Sequence, residues 1–191
     1  MQWKYISRML CKGKQVGNIT FNELAEEDFK LLQKWLNADF VKKWCYKSMI
    51  WSDDVIIKMF APYVLKEMPV NSFTISYDEV KIGYIQSALL VDFPDYYDWL
   101  QIDGEAIDVS LMFIGEKEYI HKGLGSLVLK KFVDENVFNN VNINKCIICP
   151  EPTNIIAIKS YEKIGFKYTK TIQIPGEGEP YYVMELPRDK I

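Results

Sequence analysis

The stretch Tyr119 to Ser126, "YIHKGLGS", sets Gly123 and Gly125 one residue apart, between an apolar run and a helix-like one. A helix start presents unpaired N–H groups and about half a positive charge. Glycines there let the main chain close on a diphosphate with no side chain in the way. The loop is not GxxxxGK[ST], and Leu127 and Val128 stand where GxGxxG needs further glycine. The plain alternative is a turn that merely starts a helix. A second chemical feature is acidic. Asp92, Asp95, Asp98, Asp103, Glu105 and Asp108 follow one another with no lysine or arginine between them, and Tyr96, Tyr97 and Trp99 interleave. Glu177 and Glu179 lie in the last glycine-rich turn. Such a field attracts polycations, and aromatic faces stack on sugars or cations. Its plain alternative is a solvated loop. A single histidine, His121, argues against Ser-His-Asp or Cys-His chemistry. The "CIIC" at Cys146 to Cys149 has the spacing of half a zinc site. It lies in a strand-like run, however, where residues three apart point to opposite faces. Buried structural cysteines and no metal site are expected.

These residues need a scaffold. The chain has 191 residues, enough for one domain spanning 1–191 with a full core. A net charge of −3 advertises no nucleic-acid surface. No apolar run approaches the roughly 20 residues that span a bilayer. The opening "MQWKYISRMLCKGKQ" lacks the apolar core of a secretory signal, so a cytoplasmic location with reduced cysteines is expected.

Helical spacing runs through "ELAEEDFKLLQKWLN", and "DFVKKWCYKSMIW" after it reads as irregular. Ser52 caps a second helix, "SDDVIIKMFAPYVLKE". "NSFTISY" and "VKIGYIQSALL" form a hairpin, residues 92–104 a loop, and "EAIDVSLMFIG" a strand. A helix over 124–138, the strand "NKCIIC", a helix "PTNIIAIKSYEKIG" and two final strands complete the order. The fold class is α/β in the broad sense (α+β), a mixed, mostly antiparallel central sheet flanked by helices.

"KGLGSLVLKKFV", followed some thirty residues later by "PTNIIAIKSYEKIGF", resembles the acetyl-CoA signature of the GNAT superfamily of N-acetyltransferases. The ordered set "LLQKWLN", "VKKW", "VKIGYIQS", "FIGE", "KGLG" and "SYEKIGF" is similar to the branch containing aminoglycoside 6'-N-acetyltransferases. The resemblance implies the GNAT fold and acetyl-CoA as cosubstrate. It implies that His121, Lys122, Gly123, Leu124, Gly125 and Ser126 hold the CoA diphosphate and Asn154 the CoA arm. Phe113 and Ile114 would offer main-chain N–H groups to the thioester carbonyl. Tyr161 would protonate the departing thiolate, with core packing as its plain alternative. Two departures bear on the acceptor. The acid expected on the central strand is reached by Asp108 only if that strand bulges; an ungapped count places Leu111 there. The acid expected just before "PxPxN" is Cys149.

An alkyl amine has a pKa of about 10, so it must lose a proton before it attacks a thioester. Asp108 is the candidate base. Trp44, Asp92, Asp108, Glu177 and Glu179 are the candidate acceptor-binding residues. The expected partner is a small cationic amine, an aminoglycoside first, with no nucleic acid and no membrane; the chain would act as a monomer or homodimer. Acylation of a polyamine, a siderophore precursor or a protein N-terminus stays open. So does an acyl-CoA-binding module without catalysis.

Overall fold

The computed structural model describes residues 17–47, 49–176 and 178–190. Seven strands form one sheet in the order β1-β2-β3-β4-β5-β7-β6. They are β1 (Ile19–Glu23), β2 (Val70–Tyr77), β3 (Val80–Leu89), β4 (Ala106–Ile114), β5 (Lys145–Ile148), β6 (Lys167–Ile172) and β7 (Tyr181–Pro187). Every pairing is antiparallel except β4 with β5. The helices are α1 (Phe29–Leu36), α2 (Asp39–Lys42), α3 (Asp53–Val64), α4 (Pro94–Leu100), α5 (Leu124–Phe132) and α6 (Ile155–Glu162). Among the described residues no helix is long and apolar enough to cross a membrane.

The sheet is covered on both faces, as the alternation within its strands requires. On one face α1 and α3 bury Leu32, Trp35, Ile56 and Phe60 against Val70, Tyr84 and Phe113. On the other, α5 and α6 bury Val128, Phe132, Ile158 and Tyr161 against Ile75, Ile85 and Val109. Neighbours on β3, Tyr84 and Ile85, therefore belong to opposite cores. The caps follow the sequence: Ser52 accepts from the Val55 amide at the start of α3, and Asn154 Oδ1 accepts from the Ala157 amide at 3.3 Å at the start of α6.

Three expectations are corrected. Strand β1 was not expected; its apolar residues are few, and pairing with β2 rather than its own pattern makes it a strand. Residues 92–104 are not all loop, because Pro94 at the first helical position starts α4. The helix expected over 124–138 is α-helical only to Phe132 and ends in a π-turn over Val133–Val137.

The "FIGE" segment at the end of β4 has a structural explanation. A Cβ on Gly115 would lie 2.2 Å from the Trp35 ring, so only glycine lets the indole of α1 lie against the strand. Trp35 Nε1 then donates to Glu116 at 2.8 Å, and Lys34 pairs with the same carboxylate at 2.7 Å. This clamp fixes α1 to the far end of β4. Gly115→Ala should cost roughly 1–3 kcal/mol by overpacking, read as a lower denaturant midpoint with an unchanged m-value.

Candidate active site

The sheet divides between β4 and β5. They pair only over Ala106–Asp108 with Lys145–Ile147, and the parallel ladder then stops. β4 runs on to Ile114, paired with β3 alone on its other edge. Main-chain groups of β4 that point away from β3 beyond Asp108 thus have no strand partner. The wedge opens into a cavity of about 670 Å³. Its wall is β4 from Asp108 to Met112, the turn after β5 from Ile148 to Glu151, and the segment Trp44–Lys47 beyond α2. Tyr96 from α4 and Tyr161 from α6 also line it, with Asn154 and Glu179.

Asp108 reaches this wall because β4 bulges. Gln86 faces Leu111 and Ala88 faces Asp108, so Ser87 alone opposes Val109 and Ser110. The extra residue resets the alternation. Asp108 and Leu111 both line the cavity, together with Val109 and Ser110 of the bulge, while Ile107 before them packs into the core under α5 and α6. A count without the bulge puts Leu111 in the acid's place; the bulge lets both side chains face the same space.

The Asp108 carboxyl is buried, and Oδ1 has no hydrogen-bond partner among the described residues. Burial pushes its pKa up to about 7, and interaction with the Tyr96 hydroxyl opposes the rise. An uncompensated carboxylate in a low dielectric holds its proton; a donor aimed at the charged form releases it. A group poised near neutrality suits proton abstraction. The same burial raises the other titratable groups on the wall. Burial, then the charge of Glu151, push the Cys45 thiol up to about 12. Burial and then the Asp108 charge raise Cys149 further. Both are neutral thiols, not nucleophiles. The Tyr161 hydroxyl is raised by burial and keeps its proton.

The glycine loop lies beside the cavity rather than in its wall. Gly123 has φ +77° and caps α5, and a Cβ there would meet nothing within 4 Å. The conformation requires glycine, and the loop's outer face is open to a ligand. Leu124, Gly125 and Ser126 occupy the first turn of α5, whose amides have no partner within the helix. The position of a Gly125 Cβ is 3.8 Å from Met112 Cε. Met112, on the cavity wall, therefore joins the loop to the cavity. His121 (φ +59°) and Lys122 are exposed, the latter with its ammonium 5.5 Å from the Tyr119 ring centroid. Phe113 is buried and Ile114 half-buried, one and two residues beyond Met112.

Of the acceptor-side candidates, Trp44, Asp108 and Glu179 line the cavity. Asp92 does not: it ends the 3-10 turn Leu90–Asp92, exposed to solvent and off the cavity wall. Glu177 lies outside the described residues. Cys146 and Cys149 sit in different apolar clusters, as strand alternation requires, and no group of potential metal ligands occurs among the described residues. Sequence reasoning missed Glu151, Lys47 and Cys45. The first stands between two prolines in "PEP", in the turn after β5. Tyr96 was read as a stacking aromatic; its hydroxyl is turned to Asp108.

Residues 25–174 match the family model described as "Acetyltransferase (GNAT) domain". The chain belongs to the GNAT acetyltransferase family and is an acyltransferase. It is 25% identical over 175 residues to the aminoglycoside N(6')-acetyltransferase type 1 of Klebsiella pneumoniae, covering 88% of this chain and 83% of that one. Two solved structures of the aminoglycoside acetyltransferase AAC(6')-Ib superpose with TM-scores of 0.78. One, in complex with paromomycin and acetyl-CoA, is 25% identical and covers 91% of this chain and 95% of that one. The other, with coenzyme A and kanamycin, is 24% identical and covers 91% and 96%.

Two measurements follow from the buried carboxylate. Tyr96→Phe removes the group that holds the Asp108 pKa down, so the acid limb of the pH–rate profile should move above about pH 7. An unmoved limb would mean that Tyr96 does not act on Asp108. Folded Asp108 keeps its proton up to about pH 7, whereas the unfolded chain loses it near pH 3.9. The folded state binds more protons in that window, so this group lowers stability as pH rises through it. Asp108→Asn should therefore raise Tm relative to the parent at about pH 8 and give little gain at about pH 4.

Proposed function

We propose that the chain transfers an acetyl group from acetyl-CoA to a primary amine of a polycationic small molecule. An aminoglycoside, acetylated at its 6'-amino group, is the acceptor that fits best, and resistance to such antibiotics is the consequence. The observation that carries this reading is Asp108, a buried carboxyl poised at about 7 on the wall of an acid-lined cavity. The relatives named above are similar over most of their length and act on, or were solved with, aminoglycosides.

The loop from His121 to Ser126 would hold the CoA diphosphate. It is open, glycine-capped and at a helix N-terminus. Asn154 uses Oδ1 for its own helix cap, which leaves its amide Nδ2 to hold the CoA arm. Bound acetyl-CoA supplies the thioester carbonyl that an amine attacks. Main-chain amides of β4 around Phe113 and Ile114, on the edge β5 has left, would polarise that carbonyl. Asp108 binds the acceptor's ammonium and accepts its proton, freeing the nitrogen lone pair. Tyr161, whose raised pKa keeps it protonated, donates to the sulfur as the C–S bond breaks. Trp44 and Glu179 would hold the rest of the acceptor at the mouth.

The test is CoA-thiol release from acetyl-CoA over a panel of aminoglycosides, polyamines and peptides. Saturable turnover is expected with aminoglycosides. Turnover with polyamines or peptides alone would move the reading to another acceptor, and binding of acetyl-CoA with no turnover would leave a binding module. Asp108→Asn should lower kcat about a hundredfold. Tyr161→Phe should lower kcat about tenfold or more with acetyl-CoA affinity unchanged; unchanged kcat would make Tyr161 a packing residue.

A further inference from the structure

Among the described residues the cavity wall carries three carboxylates, Asp108, Glu151 and Glu179, against one cation, Lys47. Glu151 is the one held in an ion pair across the cavity. Its Oε2 lies 2.6 Å from Lys47 Nζ. Its side chain is 10% exposed, that of Lys47 48%, so the carboxylate is nearly buried and its counter-ion is not. The two partners differ in backbone setting. Glu151 lies in the turn after β5, between two prolines, and accepts weakly from Thr153 Oγ1 at 3.4 Å. Lys47 lies between α2 and α3 and belongs to no helix or strand. Its long side chain reaches into the cavity from outside.

We infer that Glu151 is a second ammonium-binding carboxylate of the acceptor site, and that Lys47 is its resident counter-ion, displaced by a cationic acceptor. The inference rests on the proposed function, since it names how that acceptor is held. Chemically, the exchange is one ammonium for another. The carboxylate keeps a paired charge throughout, and a half-exposed lysine returns to water with little loss, as partly solvated pairs contribute little. A neutral or anionic acceptor has nothing to offer Glu151 and leaves Lys47 in place. The pair thus filters for cations, and its strength sets how tightly a cation must bind to enter. It also accounts for Cys149: with a neutral thiol just before the turn, the carboxylate two residues later faces the same cavity.

The experiment is steady-state kinetics with kanamycin as the probe, on Lys47→Met, Glu151→Gln and the double variant. Lys47→Met should lower KM for kanamycin, because the competing ammonium is gone. Glu151→Gln should raise it about tenfold, the loss of one charge-assisted hydrogen bond, with KM for acetyl-CoA unchanged. In the Glu151→Gln background, Lys47→Met should do nothing further. A pair that merely ties the loop would give a raised or unchanged KM in Lys47→Met, and that result overturns the inference. If Glu151→Gln does not fold, Lys47→Met alone decides by the direction of its KM. Turnover of kanamycin with KM insensitive to either substitution overturns this inference and leaves the proposed function standing. No turnover by the parent chain overturns both.

Discussion

The organisation of this molecule depends on where β4 and β5 part. A parallel pair normally continues for as long as both strands do, because each lost rung leaves a donor and an acceptor unpaired. Here the ladder ends at Asp108 and Ile147, one residue before β5 itself ends at Ile148, and β4 continues for six more residues paired with β3 alone. The strand cannot collapse onto β5, since its far end is held elsewhere. Gly115 and Glu116 are clamped to α1 through Trp35, and the Gly115 amide donates to Ile82 at 2.7 Å. The clamp at one end and the ladder at the other hold the wedge open. The unpaired main-chain groups in it are therefore a built feature of the fold, available to a ligand.

The point of parting is also where the carboxyl is most deeply buried. Asp108 is the last rung, flanked by Cys146 and Cys149 on the β5 side, with Ile147 directly opposite. Among the described residues no cation accompanies it. Burying a carboxylate without one costs free energy unless it takes a proton, which is why its pKa rises toward neutrality. An ion-pair partner would reverse that shift and leave a weak base that could not accept a proton near pH 7. The neutral thiols and the Tyr96 hydroxyl are the kind of neighbours that leave the carboxyl tunable. The acid absent at Cys149 is consistent with this: a carboxylate there would stand beside Asp108 and raise its pKa further by repulsion.

Much of this was legible in the residues. The glycine pair lies at the start of a helix and a second helix follows "PTN", as the motif order suggested; that Asn154 caps that helix was not read from the sequence. The sheet flanked by helices on both sides followed from the order of helix-like and strand-like runs. What was not legible depended on register and reach. A bulge at Val109–Ser110 cannot be read from a strand whose residues are apolar on both faces, so the choice between Asp108 and Leu111 needed the β3 partner. The same limit applies to the acidic run. Asp92 and Tyr96 look alike in composition, but Pro94 starts a helix between them that turns Tyr96 inward and leaves Asp92 on the surface. Glu151 and Lys47 are more than a hundred residues apart in the chain, and no local pattern connects them.

Charge is distributed along the site in a way that separates its two tasks. The loop end offers main-chain amides, the positive end of α5 and Lys122, and suits a diphosphate. The cavity end offers three carboxylates and one half-exposed lysine among the described residues, and suits ammonium groups. Met112 lies between them, touching the loop on one side and the cavity on the other. A donor anchored by its phosphates and an acceptor anchored by its amines would each be repelled from the other's half. Under the proposed function they would meet along the unpaired edge of β4, where Asp108 stands and where main-chain N–H groups would face the reacting carbonyl. Positioning of this kind raises the effective concentration of amine at thioester by fixing both ends rather than by binding the reacting atoms tightly. The sheet's division thus supplies the edge and the buried carboxyl, and the opposed charges of its two ends would bring the reactants of the proposed reaction there.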